Sequence, residues 1–260
     1  MTTLIYGGLC LYVITTCLYV YRLFSAGAQL DIWGNRILMV SLMAWLVIFG
    51  GLGVYDDWTV NATQRWLWSS AWGLSLAFFI LRRRFNIDGA GSTIVGLSTV
   101  LTCLGIVSKH AIPEPVSHYV GLLKLHIGLA FFGVTAFAFA GAISALYLIQ
   151  ARALRHNPSS TLQRRLPPLV TVDKLAFRSI LWGFPFYTLA LLIGSVFAMS
   201  AEAQTISLSY WSALFSWLVY GFIIYVRVSL GWRGRRAAIL TLSGLFGIIV
   251  VLVQYSMRGA

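Results

Sequence analysis

The sequence predicts an all-α fold, a polytopic membrane helix bundle of about eight transmembrane helices. Three observations support this prediction. Charged residues make up only 10% of the chain, whereas soluble domains carry about 25%. The mean hydropathy is +0.82. Long apolar runs alternate with short segments that are often basic, a pattern typical of helices that cross a bilayer in succession.

The apolar runs define the predicted elements in chain order. Each is near the ~20 residues that cross a bilayer as a helix, and they lie at about 4–24, 37–54, 66–81, 91–107, 119–150, 176–200, 209–229 and 237–257. The third and fourth are short and contain glycine and serine, which leaves a seven-span count open. The fifth is longer than a bilayer requires, so this helix is predicted to tilt or project. We interpret residues 1–260 as a single integral membrane domain.

The basic residues predict how the chain is oriented. When the odd-numbered connections are assigned to the cytoplasm, that side receives fifteen of the nineteen lysines and arginines. Because the Lys/Arg bias of short loops sets topology, both termini are predicted to lie outside. The net charge of +12 is then a topological signal. Nucleic-acid binding is not predicted, since it would need a soluble basic face.

The other ionisable residues argue against several classes of function. None of the seven carboxylates falls inside a predicted span, whereas ion-coupled transporters normally carry one there. Cys10, Cys17 and Cys103 lie in apolar runs without paired spacing, so we interpret them as small core residues. No residues with catalytic spacing stand out. The sequence therefore favours a binding or assembly protein over an enzyme.

His126 is the residue most indicative of function. An ionisable group inside a span is costly and normally faces protein, water or a cofactor, and a neutral imidazole avoids the cost by binding metal. Ala130, Gly133 and further small residues follow it at steps of three or four, on the same face of the fifth helix. Such a face either admits another helix closely or forms a shelf for haem, with His126 as axial ligand. The spacing alone leaves both interpretations open.

Three blocks of sequence, at 123–155, 166–198 and 212–247, together resemble the cytochrome c assembly membrane protein family. The most specific block has W-x-x-Y followed by R-x-x-x-G-W-R-G-R-R, and it comes after the histidine helix. The resemblance covers roughly residues 120–250. It implies that His126 is the family's intramembrane haem-ligating histidine.

The chain departs from the large haem-delivery synthases of that family. Its connection at 199–211 is short and lacks their WWD motif, which makes the chain more similar to the small eight-span HemX-like branch. The second intramembrane histidine expected before GWRGRR is missing, and Tyr225 lies near that place as a conceivable tyrosinate ligand. His110 and His118, in the loop before the fifth helix, are either solvated side chains or further candidate ligands at the outer surface.

The resemblance implies an integral membrane protein that binds or handles haem b in c-type cytochrome assembly or haem metabolism. Arg178 and Arg227 are candidate partners of the haem propionates. The implied partners are haem, proteins of cytochrome c maturation or haem synthesis, and the lipid bilayer, in a bacterial inner membrane.

Two other functions stay open. One is a non-haem scaffold that stabilises or localises a tetrapyrrole-synthesis or cytochrome-assembly partner. The other is a small-solute permease, which would need a polar cavity at mid-membrane.

Overall fold

The structure is a computed structural model that describes residues 2–24, 28–54, 62–108, 120–156, 166–200 and 208–257. Within these ranges the regular structure is helical, with eight α-helices and one 3₁₀ turn, Asp88–Ala90, and no strand. The helices are α1 (Thr2–Phe24), α2 (Ala28–Val54), α3 (Ala62–Phe85), α4 (Gly91–Val107), α5 (Val120–His156), α6 (Leu169–Ser200), α7 (Leu208–Ser229) and α8 (Arg235–Met257). The predicted all-α fold is confirmed.

Six candidate membrane spans, long and apolar enough to cross a bilayer, lie in the described part of the chain. They are Thr3–Phe24, Ile32–Gly51, Asp88–Val107, Gly121–Arg155, Leu169–Val196 and Tyr210–Ser229. The chain is therefore a multi-pass membrane protein. The two short apolar runs that leave a seven-span count open form separate helices, α3 and α4.

Asn86 separates α3 from α4. Its φ of 52° is in the left-handed region, which a non-glycine residue rarely adopts and which asparagine tolerates best. The N–H of Ile87 then donates to the carbonyl oxygen of Arg82 at 3.1 Å. This is the capping pattern of a helix that ends on a left-handed residue, and it turns the chain into the 3₁₀ turn before α4.

The chain divides into two compact units. The first consists of Met1–Lys109 with Ile149–Val172, and the second of His110–Leu148 with Asp173–Ala260. In the first unit, the hydroxyl of Ser75 in α3 donates to that of Ser98 in α4 at 2.8 Å. The hydroxyls of Thr16 and Thr99 lie 2.9 Å apart and link α1 to α4. Such hydrogen bonds hold helices together where lipid is as apolar as the protein core.

The three cysteines do not lie in a core. Cys10 and Cys17 are exposed on α1, and Cys103 is exposed on α4. The prediction that they are small core residues is wrong. The physical reason is that lipid accepts an apolar side chain as readily as the protein interior does, so hydrophobicity alone does not say which face of a membrane helix points inward.

The second unit is built from most of α5 and most of α6 together with α7 and α8. Its core contains Phe137, Ala140, Ile180, Tyr187, Tyr220, Ile223 and Ile248. The rings of Phe137 and Tyr220 stack with their centroids 3.7 Å apart. All residues of the candidate site that the structure describes belong to this unit.

Candidate functional site

His126 lies in the second turn of α5 and is partly buried. Its Nδ1 atom is 2.8 Å from the carbonyl oxygen of Ala190 in α6. A carbonyl oxygen only accepts hydrogen bonds, so Nδ1 carries the proton and donates. In a neutral imidazole this places the lone pair on Nε2, the nitrogen that can then ligate a metal.

Gly194, one helical turn beyond Ala190 on α6, lies directly against the imidazole. A methyl group added to Gly194 would come 2.9 Å from Cε1 of His126 and 3.5 Å from Nδ1. The ring is therefore in close contact with the backbone of α6. Sequence reasoning missed both α6 residues, because their contact with His126 joins positions 64 or more apart in the chain.

The small-residue face of α5 is covered by α6. A methyl group on Gly133 would lie 2.9 Å from the backbone nitrogen of Tyr187, and one on Gly183 would lie 2.8 Å from Cβ of Ala136. Gly133 is buried, and Ala130, between Gly133 and His126, is partly buried. Of the two interpretations, close helix packing is the one that the structure has at Gly133. The α5 face has no room for haem at Gly133, since α6 fills the space.

Tyr225 lies at the opposite end of the second unit from His126. Helices α5 and α6 run antiparallel, because His126 contacts Ala190 while the later Gly133 contacts the earlier Tyr187. Helices α6 and α7 also run antiparallel, because Tyr187 of α6 donates to Ala213 of α7, while Arg227 of α7 reaches Asp173 of α6. Along α6, Ala190 and Asp173 are about 25 Å apart. Tyr225 is also 59% exposed and faces away from the core. The structure therefore separates Tyr225 from His126 too widely for both to ligate one iron.

The candidate propionate partners are corrected for the same reason. Arg227 lies at the Asp173 end of the unit, and Arg178 is only five positions beyond Asp173 on α6. Arg178 is about 18 Å along α6 from Ala190. Neither arginine is placed to meet a macrocycle held by His126.

A buried ion pair closes the Asp173 end. Arg227 donates to both carboxylate oxygens of Asp173, with Nη1 3.0 Å from Oδ1, and its Nη2 also donates to the backbone oxygen of Asp173 at 3.1 Å. The side chains of Arg227 and Asp173 are 8% and 13% exposed. The guanidinium also lies over the ring of Phe177, 4.4 Å from its centroid.

The glycine-rich turn after α7 completes this cluster. The N–H of Gly234 donates to Oδ1 of Asp173 at 3.0 Å, and Gly234 has a φ of 72° that favours glycine. A cavity of about 10 Å³ lies beside the pair, lined in part by Ser144, Tyr147 and Thr241. It has room for about one water molecule.

Asp173 overturns one expectation. The sequence places every carboxylate outside the spans, but α6 begins at Leu169, directly after two prolines, and the candidate span Leu169–Val196 includes Asp173 near its start. The prolines fit before the first helical turn, where their missing N–H costs nothing. The N–H groups of Thr171 and Val172 donate to the oxygen of Pro168.

Two candidate residues lie outside the described residues, namely His110 and His118. Within the described ranges, no group of three or more His, Cys, Asp or Glu side chains is arranged to hold a metal ion. Among the candidate histidines, His126 is the one that lies within the described residues.

Fold and site together define a multi-pass helical membrane protein with a hydrogen-bonded histidine inside a span. A family model described as cytochrome C assembly protein matches residues 3–259. The chain belongs to this family.

The chain is similar to proteins named cytochrome c biogenesis protein CcsA. That of Prochlorococcus marinus (strain MIT 9312) is 25% identical over 256 residues, which cover 85% of this chain and 80% of the relative. That of Guillardia theta is 25% identical over 211 residues, or 71% and 67% of the two chains. That of Trichormus variabilis (strain ATCC 29413 / PCC 7937) is 33% identical over 200 residues, or 72% of this chain and 53% of the relative. No solved structure matches the chain.

The predicted family and the predicted role in c-type cytochrome assembly are confirmed by this match. The product of such assembly, a c-type cytochrome, contains haem, so haem is involved in it. The HemX-like branch stays a prediction, and so do the individual ligands.

Proposed function

We propose that the chain binds haem through Nε2 of His126 while it acts in c-type cytochrome assembly. The observation that carries the proposal is the 2.8 Å contact between Nδ1 of His126 and the carbonyl oxygen of Ala190. Metal-ligating histidines almost always donate their other ring N–H to a carboxylate, a backbone carbonyl or water. The partly buried histidine inside a span fits this pattern.

His126 would supply a nitrogen ligand to the haem iron, and Ala190 would fix the orientation and tautomer of the ring. The bound haem, which we propose to be haem b, would supply the redox-active iron. The residues of the chain would hold and orient it without any covalent chemistry of their own. Because α6 covers the α5 face at Gly133, Gly133 would not be among the residues that hold the haem.

The missing WWD motif favours transient haem handling, as expected of a HemX-like protein, over presentation of haem to an apocytochrome. We propose a bacterial inner membrane as its location, with proteins of cytochrome c maturation or haem synthesis as partners. Lys124 and the loop before α5 lie on the side that the basic residues assign to the outside. Haem held by His126 would thus be nearer the outer surface.

An absorption spectrum tests the ligand. The full chain is purified in detergent from haem-replete cells, and the reduced-minus-oxidised spectrum is recorded for wild type and for His126→Ala. We expect a Soret band in the wild type and its loss in the variant. His156→Ala, at the C-terminal end of the same helix, is the matched control and should keep the band.

The alternatives predict other spectra. A non-haem scaffold gives no Soret band in any variant, whereas haem held elsewhere gives a band that His126→Ala leaves unchanged. Either result would overturn His126 as the ligand.

A further inference from the structure

We infer that Gly194 is a positioning residue for His126, and that Gly194 and the carbonyl of Ala190 form a socket that selects the protonated nitrogen of the imidazole. This inference rests on the proposed function for its consequence in haem binding. Its geometry stands on the described side chains alone. Nothing in the resemblance or the family match assigns a role to either α6 residue.

The steric part of the argument concerns the side chain that Gly194 lacks. A Cβ atom there would be 2.9 Å from Cε1 of His126, closer than real side-chain contacts allow. The ring would have to move away from α6. With Gly194 in place, the imidazole lies close enough to α6 for Nδ1 to reach the carbonyl oxygen of Ala190 at 2.8 Å.

The chemical part follows from that hydrogen bond. The carbonyl oxygen of Ala190 accepts only, so contact with it stabilises the proton on Nδ1. The lone pair of the neutral ring is then on Nε2. A histidine that donates from Nδ1 to a carbonyl can therefore ligate a metal through Nε2. Gly194 thus acts on the metal site through the ring position, not by touching the metal.

The first test needs no Gly194 variant and no haem. The full chain is labelled with ¹⁵N-histidine, purified haem-free in detergent, and studied by NMR at about pH 8, where an ordinary imidazole is neutral. The ring nitrogens of His126 are assigned by comparison with His126→Gln. We expect a protonated Nδ1 and an unprotonated Nε2. A protonated Nε2 with an unprotonated Nδ1 would overturn the inference.

The second test substitutes the glycine. Gly194→Ala should abolish the preference for protonated Nδ1 and should weaken haem retention by about 10- to 100-fold, the usual effect of removing the partner of a metal-ligating histidine. The control is Gly128→Ala on α5, where an added methyl group meets nothing within 4 Å. It should leave both readouts unchanged. A Gly194→Ala protein with the wild-type nitrogen signals contradicts the socket.

The two proposals fail separately. If wild type has a protonated Nδ1 that Gly194→Ala loses, but no Soret band forms, the socket is supported and haem binding is not. If haem binds through His126 while Gly194→Ala keeps the wild-type nitrogen signals, haem binding stands and the socket is overturned. Should Gly194→Ala not yield folded protein, the wild-type spectrum alone still decides the tautomer.

Discussion

Arg227 of α7 and Asp173 of α6 form a paired, buried salt bridge, in which the guanidinium meets both carboxylate oxygens. Removal of one partner leaves the other charge buried, which typically costs about 3–5 kcal/mol. We therefore expect Asp173→Asn to lower the thermal stability of the detergent-solubilised protein markedly. Lys174→Gln, which removes an exposed charge at the next position, should have little effect.

A double variant tests how stable the fold is when both charges of the pair are removed together. Asp173→Leu with Arg227→Met replaces both members by apolar groups, and such replacements of buried ion pairs are often neutral or stabilising. We expect the double variant to be more stable than Asp173→Asn. If it is less stable, the hydrogen bond from the Gly234 N–H to Asp173 contributes more than the charges do.

Gly133 gives a prediction about helix packing. Gly133→Ala places a methyl group 2.9 Å from the backbone nitrogen of Tyr187, and overpacking of this kind typically costs about 1–3 kcal/mol. We expect a lower melting temperature in detergent, with Gly128→Ala as the control. A Gly133→Ala protein with unchanged stability and an altered haem spectrum would return Gly133 to the cofactor site.

Tyr225 is expected to be dispensable for haem binding. Tyr225→Phe removes only the hydroxyl from an exposed side chain, so stability should change by no more than about 0.5 kcal/mol. The ferric absorption spectrum should equal that of the wild type. Loss of a ligand-to-metal band in Tyr225→Phe would show that the phenolate reaches the iron after all.

The orientation of the chain is a further prediction. In a background with Cys10, Cys17 and Cys103 replaced by alanine, Arg258→Cys should react with a membrane-impermeant maleimide in intact cells. Arg155→Cys should react only after lysis. These outcomes follow from both termini lying outside, as the distribution of Lys and Arg indicates. The reverse labelling pattern would invert the predicted topology.

The helices could be predicted from the sequence, because a span needs a long apolar run and the runs are plain. The start of α6 was predicted less accurately. By composition Asp173 marks a polar boundary, but its charge is neutralised by Arg227, 54 residues away, so the helix begins before it. Composition also could not predict which face of each helix points inward. Cys10 faces outward, whereas Trp68 is 2% exposed and donates to the oxygen of Thr102.

At the site, the sequence identified the ionisable residue but not its surroundings. His126 stands out because a histidine in a span is uncommon. The small residues after it predict a close contact but do not identify the helix or cofactor that makes it. Ala190 carries no such signal, since every residue has a backbone carbonyl, and Gly194 is one of 24 glycines whose residue type does not say which contact it permits. Only the packing of α5 against α6 shows that both residues contact His126.

The salt bridge also has a consequence for the synthesis of the protein. Asp173 precedes Arg227 by 54 residues, so the carboxylate is synthesised before the residue that neutralises it. Until α7 and the turn with Gly234 emerge, α6 enters the bilayer with an uncompensated charge at one end, which is unfavourable. The charge that α6 carries alone at first is thus neutralised only when α7 has packed beside it.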